Sequence, residues 1–297
     1  MHFMRSYGLK RVMDQLFSSA RMSFMKVLNI IPYLRLELVG SMDSNIYFPP
    51  DGFGALEENL LTGKNIYFEA PSIRDADTII DLGAHAGSFT TFAILHSRPR
   101  ARIVAVEPNE KNFRLLSINI EMLKDVIKEK ELCVHALRKA VWIKRGPLSF
   151  VDTGWSEGGH ISDAMHQRDA TTRANAITLD DVLDLGRGKV VVKMDIEGAE
   201  VPVLALSKSL GKVTRLAVEA HGNEAVLFRL LKLRGYEPKV VVYRLNPTLS
   251  KYWLAVKPRV YGLTIAAYRS LVTCAFKPKI TLIKASKPCD ERAQIDV

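Results

Sequence analysis

From about residue 77 the chain alternates short apolar runs with amphipathic segments. The runs "TIIDL" (78–82), "RIVAVE" (102–107), "ELCVHAL" (131–137), "VVVKMD" (190–195) and "RLAVEA" (215–220) are the length of strands. They are rich in β-branched residues and several end in an acid or meet Gly or Pro, as strands covered on both faces do. Between them, "NEKNFRLLSINIEMLK" (109–124) sets Phe113, Leu116, Ile120 and Leu123 at helical spacing behind Asn109, a residue suited to cap the helix. "TLDDVLDL" (178–185) opens with a T-x-x-D cap, Pro202 falls in the first turn of the helix after "VVVKMD", and Gly235 stops a helix over 224–234. "KVVVYRL" (239–245) and "YWLAV" (252–256) read as a terminal strand pair. The pattern predicts an α/β fold with a mainly parallel sheet, helices on both faces and an antiparallel C-terminal strand. Ligands in such folds bind at the carboxyl ends of the strands.

Outside this region the pattern weakens. Residues 1–60 read as a helical basic N-terminal cap, 61–257 as the α/β domain with a Gly-rich irregular insert at 143–176, and 258–297 as a basic amphipathic tail. At 297 residues with 47% apolar content the chain can bury a substantial core. Three widely spaced cysteines without a CxxC indicate neither a disulfide framework nor a cysteine zinc site, which points to a reducing, cytoplasmic setting. The N-terminus shows no signal-peptide pattern, and no run reaches the roughly 18 apolar residues of a spanning helix.

The candidate chemistry begins at "DLGAHAGSFT" (81–90). Gly83 and Gly87 are four apart, so the loop is not the G-x-G-x-x-G that a dinucleotide pyrophosphate needs. A D-x-G-x-x-x-G loop suits a ligand with a charged amino-acid end: Gly83 allows close backbone approach and Asp81 can accept from an ammonium group. Glu107, ending the second strand, is placed to accept from ribose hydroxyls. Loop, acid and spacing together describe a site for S-adenosylmethionine, with His85 contributing to the shape of the pocket.

"IIDLGAHAGSFT", "AVEPNEKNFRLL", "TLDDVL" and above all "KMDIEGAE" resemble the FkbM-type family of S-adenosylmethionine-dependent methyltransferases over about residues 70–257. The resemblance implies a Rossmann-like methyltransferase fold and methyl transfer to hydroxyl oxygens of sugars, lipids or polyketides. It places the cofactor on Asp81, Gly83, Ala84, Gly87 and Glu107, and marks Asp195, Glu197 and Glu200 as the distinguishing acids. The insert "GWSEGGHIS" resembles the family's Gly-Ser-rich loop, without assigning roles to Trp155 and His160.

Side chains alternate along a strand, so Lys193 and Asp195 share one face, and a lysine inside a central strand needs a partner such as Asp195 or Glu219. Glu197 and Glu200 start the next helix, where they also complement its dipole. In "VEAHG" (218–222), Glu219 and His221 project to one side, and adjacent strands bring them to the same rim as Asp195. A histidine with two carboxylates can act as a general base oriented by an acid, or hold a divalent metal on Asp195, Glu219 and His221. The catalytic expectation is therefore His221 as base with Asp195 and Glu219 as orienters or metal ligands.

Net charge changes the picture at the C-terminus only. The formal charge is +10, and residues 239–287 hold ten Lys and Arg with no acid, leaving the rest of the chain balanced. A helix between Pro258 and Pro278 would gather Arg259, Arg269 and Lys277 on a narrow polar face opposite a broad apolar one. Such a face packs on the catalytic domain or on a second subunit in a homodimer, or it docks the enzyme peripherally on an anionic membrane bearing a lipid-linked acceptor. The leading expectation is an O-methyltransferase for a small-molecule, sugar or lipid-linked acceptor. The alternatives are an RNA methyltransferase, against which stands the lack of an N-P-P-Y-like motif or RNA-binding module, and an inactive partner subunit, against which stands the intact cofactor loop.

Overall fold

The computed structural model describes residues 34–38, 44–48, 57–61, 65–151, 160–161, 172–244, 257–258 and 279–288. In chain order, β1 (Leu34–Leu38) and β2 (Ser44–Phe48) precede a π-helical turn at Glu57–Leu61 and helix α1 (Ala70–Arg74). Then β3 (Thr78–Leu82), α2 (Ser88–His96), β4 (Arg102–Val106), α3 (Glu110–Met122), α4 (Lys124–Glu129) and β5 (Cys133–Leu137) form the first half of the α/β unit. The intervening segment contributes β6 (Ala140–Val141), β7 (Gly146–Val151), β8 (His160–Ile161) and β9 (Thr172–Ile177). The second half is α5 (Leu179–Asp184), β10 (Val190–Met194), α6 (Glu200–Leu206), β11 (Val213–Glu219), α7 (Glu224–Leu233) and β12 (Glu237–Arg244), followed by β13 (Lys257–Pro258) and β14 (Lys279–Ser286).

Seven strands form the central sheet in the order β12-β14-β11-β10-β3-β4-β5. β11, β10, β3, β4 and β5 pair parallel, and β14 runs antiparallel between β11 and β12. The fold is the expected α/β Rossmann-like one. Alternation splits the core into two layers. Ile80, Leu82, Val192, Met194, Leu216 and Val218 pack with Val182, Val203, Leu204, Leu227 and Leu231 on one face. Ile79, Ile103, Val191, Ala217 and Leu282 pack with Ile73, Phe89, Phe92 and Ile94 on the other. β3 and β10 are buried along their whole length. The chain runs from β3 outward to β5, then returns to β10 and proceeds the other way, so the crevice of this sheet opens between β3 and β10.

Local signals hold where they rest on short-range chemistry. Asn109 accepts from the amides of Lys111 and Asn112, and Thr178 and Asp181 make a reciprocal capping box. Three expectations require correction. The described part of residues 1–60 is not helical in the α sense: β1 and β2 pair antiparallel, and the Tyr47 amide donates to Asn119 Oδ1 at 2.6 Å, tying β2 to α3. The Gly-rich insert is not irregular throughout, since β6, β9, β7 and β8 form a four-stranded sheet of their own. Finally, 258–297 is not wholly a tail, because β14 lies inside the central sheet with Leu282 and Ile283 fully buried. "KVVVYR" is indeed a strand, and its partner is 279–286. "YWLAV" and the helix expected between Pro258 and Pro278 lie outside the described residues, as does Trp155; His160 is described as a strand residue only. Among the described residues no helix is long and apolar enough to cross a membrane.

Candidate active site

A cleft opens at the carboxyl ends of β3, β4, β10 and β11, lined by the loop after β3, by Glu107, and by Lys193, Asp195, Glu197 and Glu219. Gly83, Ala84, His85 and Glu107 face it; Asp81 and Gly87, expected to touch the cofactor, do not line it.

The two residues behind the cleft do structural work instead. Asp81 is fully buried, accepts from Thr90 Oγ1 at 2.7 Å, and lies 3.5 Å from Lys193 Nζ. The ammonium group it faces here is that of Lys193. Burial pushes its carboxyl up from the usual range, an effect opposed by Lys193 and Thr90. Gly87, at φ 88°, lies where an added Cβ would meet Leu116 Cδ1 at 2.7 Å, so its lack of a side chain lets the loop pack on α3. Gly83 is crowded from within in the same way. A Cβ there would fall 1.7 Å from the backbone oxygen of Asp195, so the loop can close on the end of β10 only with glycine.

Glu107 is held by two backbone amides, His85 N at 2.8 Å to Oε2 and Asn109 N at 2.9 Å to Oε1. Burial pushes its carboxyl up to about 7, with those two hydrogen bonds acting against the shift. Each oxygen retains acceptor capacity toward the cleft, which Asn109 and Asn112 also line.

Lys193 joins the two halves of the site. Its register partner on β3 is Asp81, and its ammonium group donates to the Gly83 carbonyl at 2.6 Å and lies 3.5 Å from both Asp81 Oδ1 and Asp195 Oδ2. Burial alone would lower its pKa, but Asp195 and then Asp81 outweigh that and raise it, so the lysine stays charged. The expected Asp195 partnership is present, together with one to Asp81 that strand pairing supplied.

The acid rim gathers as the strand order requires, since β10 and β11 are parallel neighbours. His221 Nδ1 lies 3.1 Å from Glu200 Oε1, while Nε2 lies 3.5 Å from Glu197 Oε2 and 3.8 Å from Asp195 Oδ1. Burial would lower the imidazole pKa, yet the Glu200 hydrogen bond, Asp195 and Glu197 push it up to about 9. The carboxylates around His221 therefore favour its protonated form. Glu219 turns instead to Tyr67, whose hydroxyl donates to Oε2 at 2.6 Å and reaches Asp195 Oδ2 at 3.4 Å. Burial, then Asp195, raises Glu219 to about 7, and burial lifts Glu197 to about 7 as well. Among the described residues, the ligand atoms that cluster are those of Asp195, Glu197 and His221, with Glu197 in the place expected of Glu219. Glu200 is fully buried and accepts from the amides of Ile196 and Gly198, which makes it an organiser of the rim.

Tyr67 carries no signal in the sequence. It sits in "NIYFEA" ahead of β3, far along the chain from Asp195 and Glu219, and only the sheet brings them together. Glu58 and Asn59, from the π-helical turn, also line the cleft, and Asn59 Nδ2 donates to Ser88 Oγ at 3.0 Å.

Among solved structures, the chain is similar to methyltransferase FkbM from Methylobacillus flagellatus KT at 15% identity, covering 71% of this chain and 44% of that one, with a TM-score of 0.43. It is similar to precorrin-6y C5,15-methyltransferase from Geobacter metallireducens GS-15 at 14% identity, covering 74% and 84%, with a TM-score of 0.39. A third, a SAM-dependent O-methyltransferase from Thermotoga maritima, is 11% identical, with 81% and 65% covered and a TM-score of 0.34. No curated protein sequence matches the chain. The family described as "Methyltransferase FkbM domain" matches residues 81–238. Because that match runs from the buried aspartate of the β3 loop into β12 and takes in more than half of the 297 residues, the protein belongs to the FkbM family and is a methyltransferase.

Proposed function

We propose that the protein transfers the methyl group of S-adenosylmethionine to a hydroxyl of a sugar, glycolipid or other small metabolite. The observation that carries this reading is the joining of two halves in one cleft: a buried carboxylate at the end of β4, and an acid rim on β10 and β11. The residues present fit that cofactor. Glu107 offers acceptors for a ribose diol, Asn112 an amide, and Lys193 a cation for a carboxylate end.

When bound, S-adenosylmethionine supplies an electrophilic methyl on a sulfonium. A C–O bond forms to the acceptor as the S–C bond breaks, leaving S-adenosylhomocysteine, and the hydroxyl proton must be taken up. Glu219 stands where it can receive that proton, its other contacts fixed by the Tyr67 hydroxyl. Lys193 holds the Gly83 carbonyl against Asp195, keeping cofactor loop and rim in one geometry.

Calorimetric titration with S-adenosylhomocysteine tests the cofactor, and mass spectrometry of cell extract incubated with the protein and methyl-labelled S-adenosylmethionine identifies the acceptor. We expect one equivalent of the homocysteine product to bind and a labelled O-methyl product to appear. Tight NADH binding without response to either sulfur compound would overturn the reading.

A further inference from the structure

We propose that Asp195, Glu197 and His221 form a site for one divalent first-row transition cation, of the Mn²⁺ or Zn²⁺ class. The three ligand atoms lie within 4.8 Å of one another, and they come from the ends of neighbouring parallel strands. A cation about 2.0–2.2 Å from each of three donors spaces them roughly 2.8–3.6 Å apart, in tetrahedral or octahedral arrangement. His221 Nε2 lies 3.5 Å from Glu197 Oε2 and 3.8 Å from Asp195 Oδ1, so these two separations stand within a few tenths of an ångström of that range.

The imidazole distinguishes this set from an acidic patch. Its Nδ1 faces Glu200 Oε1 at 3.1 Å, and Glu200 is fully buried and anchored by two backbone amides. That leaves Nε2 aimed at the two carboxylates, the arrangement in which an outer carboxylate fixes a ligating histidine. Glu197 reaches the cluster through a backbone at φ 53°, followed by Gly198 at 93°. Charge points the same way. Asp195, Glu197 and Glu200 lie 3.1–3.8 Å from His221, and Lys193 Nζ lies 3.5 Å from Asp195. A divalent ion there would place positive charge where these three carboxylates converge.

Three protein ligands leave positions open, and Asp195 and Glu197 face the cleft. An ion there would orient an acceptor's oxygens and ease loss of a hydroxyl proton. This purpose rests on the methyl-transfer reading, whereas the site itself is tested without it.

The experiment is titration of the chelator-stripped full-length protein with Mn²⁺, followed by loss of the aqua-ion electron paramagnetic signal, and with Zn²⁺ by calorimetry. Parallel titrations use S-adenosylhomocysteine. We expect one equivalent of either ion to bind, Glu197→Gln to weaken that binding at least tenfold, and Glu200→Gln to weaken it by 10- to 100-fold through loss of the imidazole's orientation. S-adenosylhomocysteine should bind the stripped protein and Glu197→Gln alike. If Glu200→Gln does not fold, the partly exposed Glu197 variant decides alone. Failure of the wild type to bind either ion at one equivalent, or wild-type binding by Glu197→Gln, would overturn the site. Failure to bind S-adenosylhomocysteine would instead overturn the cofactor reading.

Discussion

Glu107 ionises near neutrality because it is buried, and that gives the cofactor reading a pH signature. With its carboxyl raised to about 7, the group is increasingly protonated below that pH, whereas a ribose diol donates best to the ionised form. Ligand affinity should therefore rise with pH through about 7 and level off above it, falling by up to about tenfold per pH unit on the acid side. Calorimetry with S-adenosylhomocysteine at pH 6 and pH 8 measures this, and Glu107→Gln should bind more weakly at pH 8 and lose the slope. An unchanged slope in the variant would show that another group titrates. Glu107 was legible as the acid closing the second strand. Asp81 and Gly87 were legible as a loop signature, but their direction was not: motif spacing says which residue types build the loop and not which side faces the ligand. Asp81 turns to Lys193 and Gly87 to Leu116 because those partners lie across the sheet and on α3.

β12 and β14 show how an element can be right and its neighbour wrong. The apolar run from Val240 announces a strand, but its partner lies within the basic stretch that reads as a tail. Pairing brings Lys239 opposite Lys284, so part of the positive excess lies on the β12–β14 pair at the end of the sheet. Lys284 is partly relieved by Tyr243, whose hydroxyl lies 2.9 Å from Nζ and whose ring centroid lies 5.2 Å away. Like charges directly opposite destabilise an antiparallel pair. Lys239→Glu should then raise stability by about 0.2–1 kcal/mol, read as a higher urea midpoint that shrinks in 1 M salt. A lowered midpoint would mean that Lys239 has a favourable role the cross-strand repulsion does not describe.

At the scale of the molecule, the antiparallel strand is what closes the sheet. β14 lies between β11 and β12 and buries Leu282 and Ile283 completely, so a chain ending at Pro278 would leave β11 with an open edge and both core layers uncovered there. We expect that truncation to abolish the cooperative urea transition seen by circular dichroism; a transition at the full-length midpoint would contradict this placement. By itself, the sequence determined the α/β class, the strands at 78–82 and 190–194, the helix caps, the loop glycines and the acids that end β4 and β10. These depend on periodicity and on contacts a few residues apart. Tertiary structure alone decided that Tyr67 grips Glu219, that His221 is ringed by three carboxylates, and that residues 279–286 are core rather than tail. Each depends on which strands become neighbours, a matter of burial summed over the whole sheet, and no local pattern of residues carries that information.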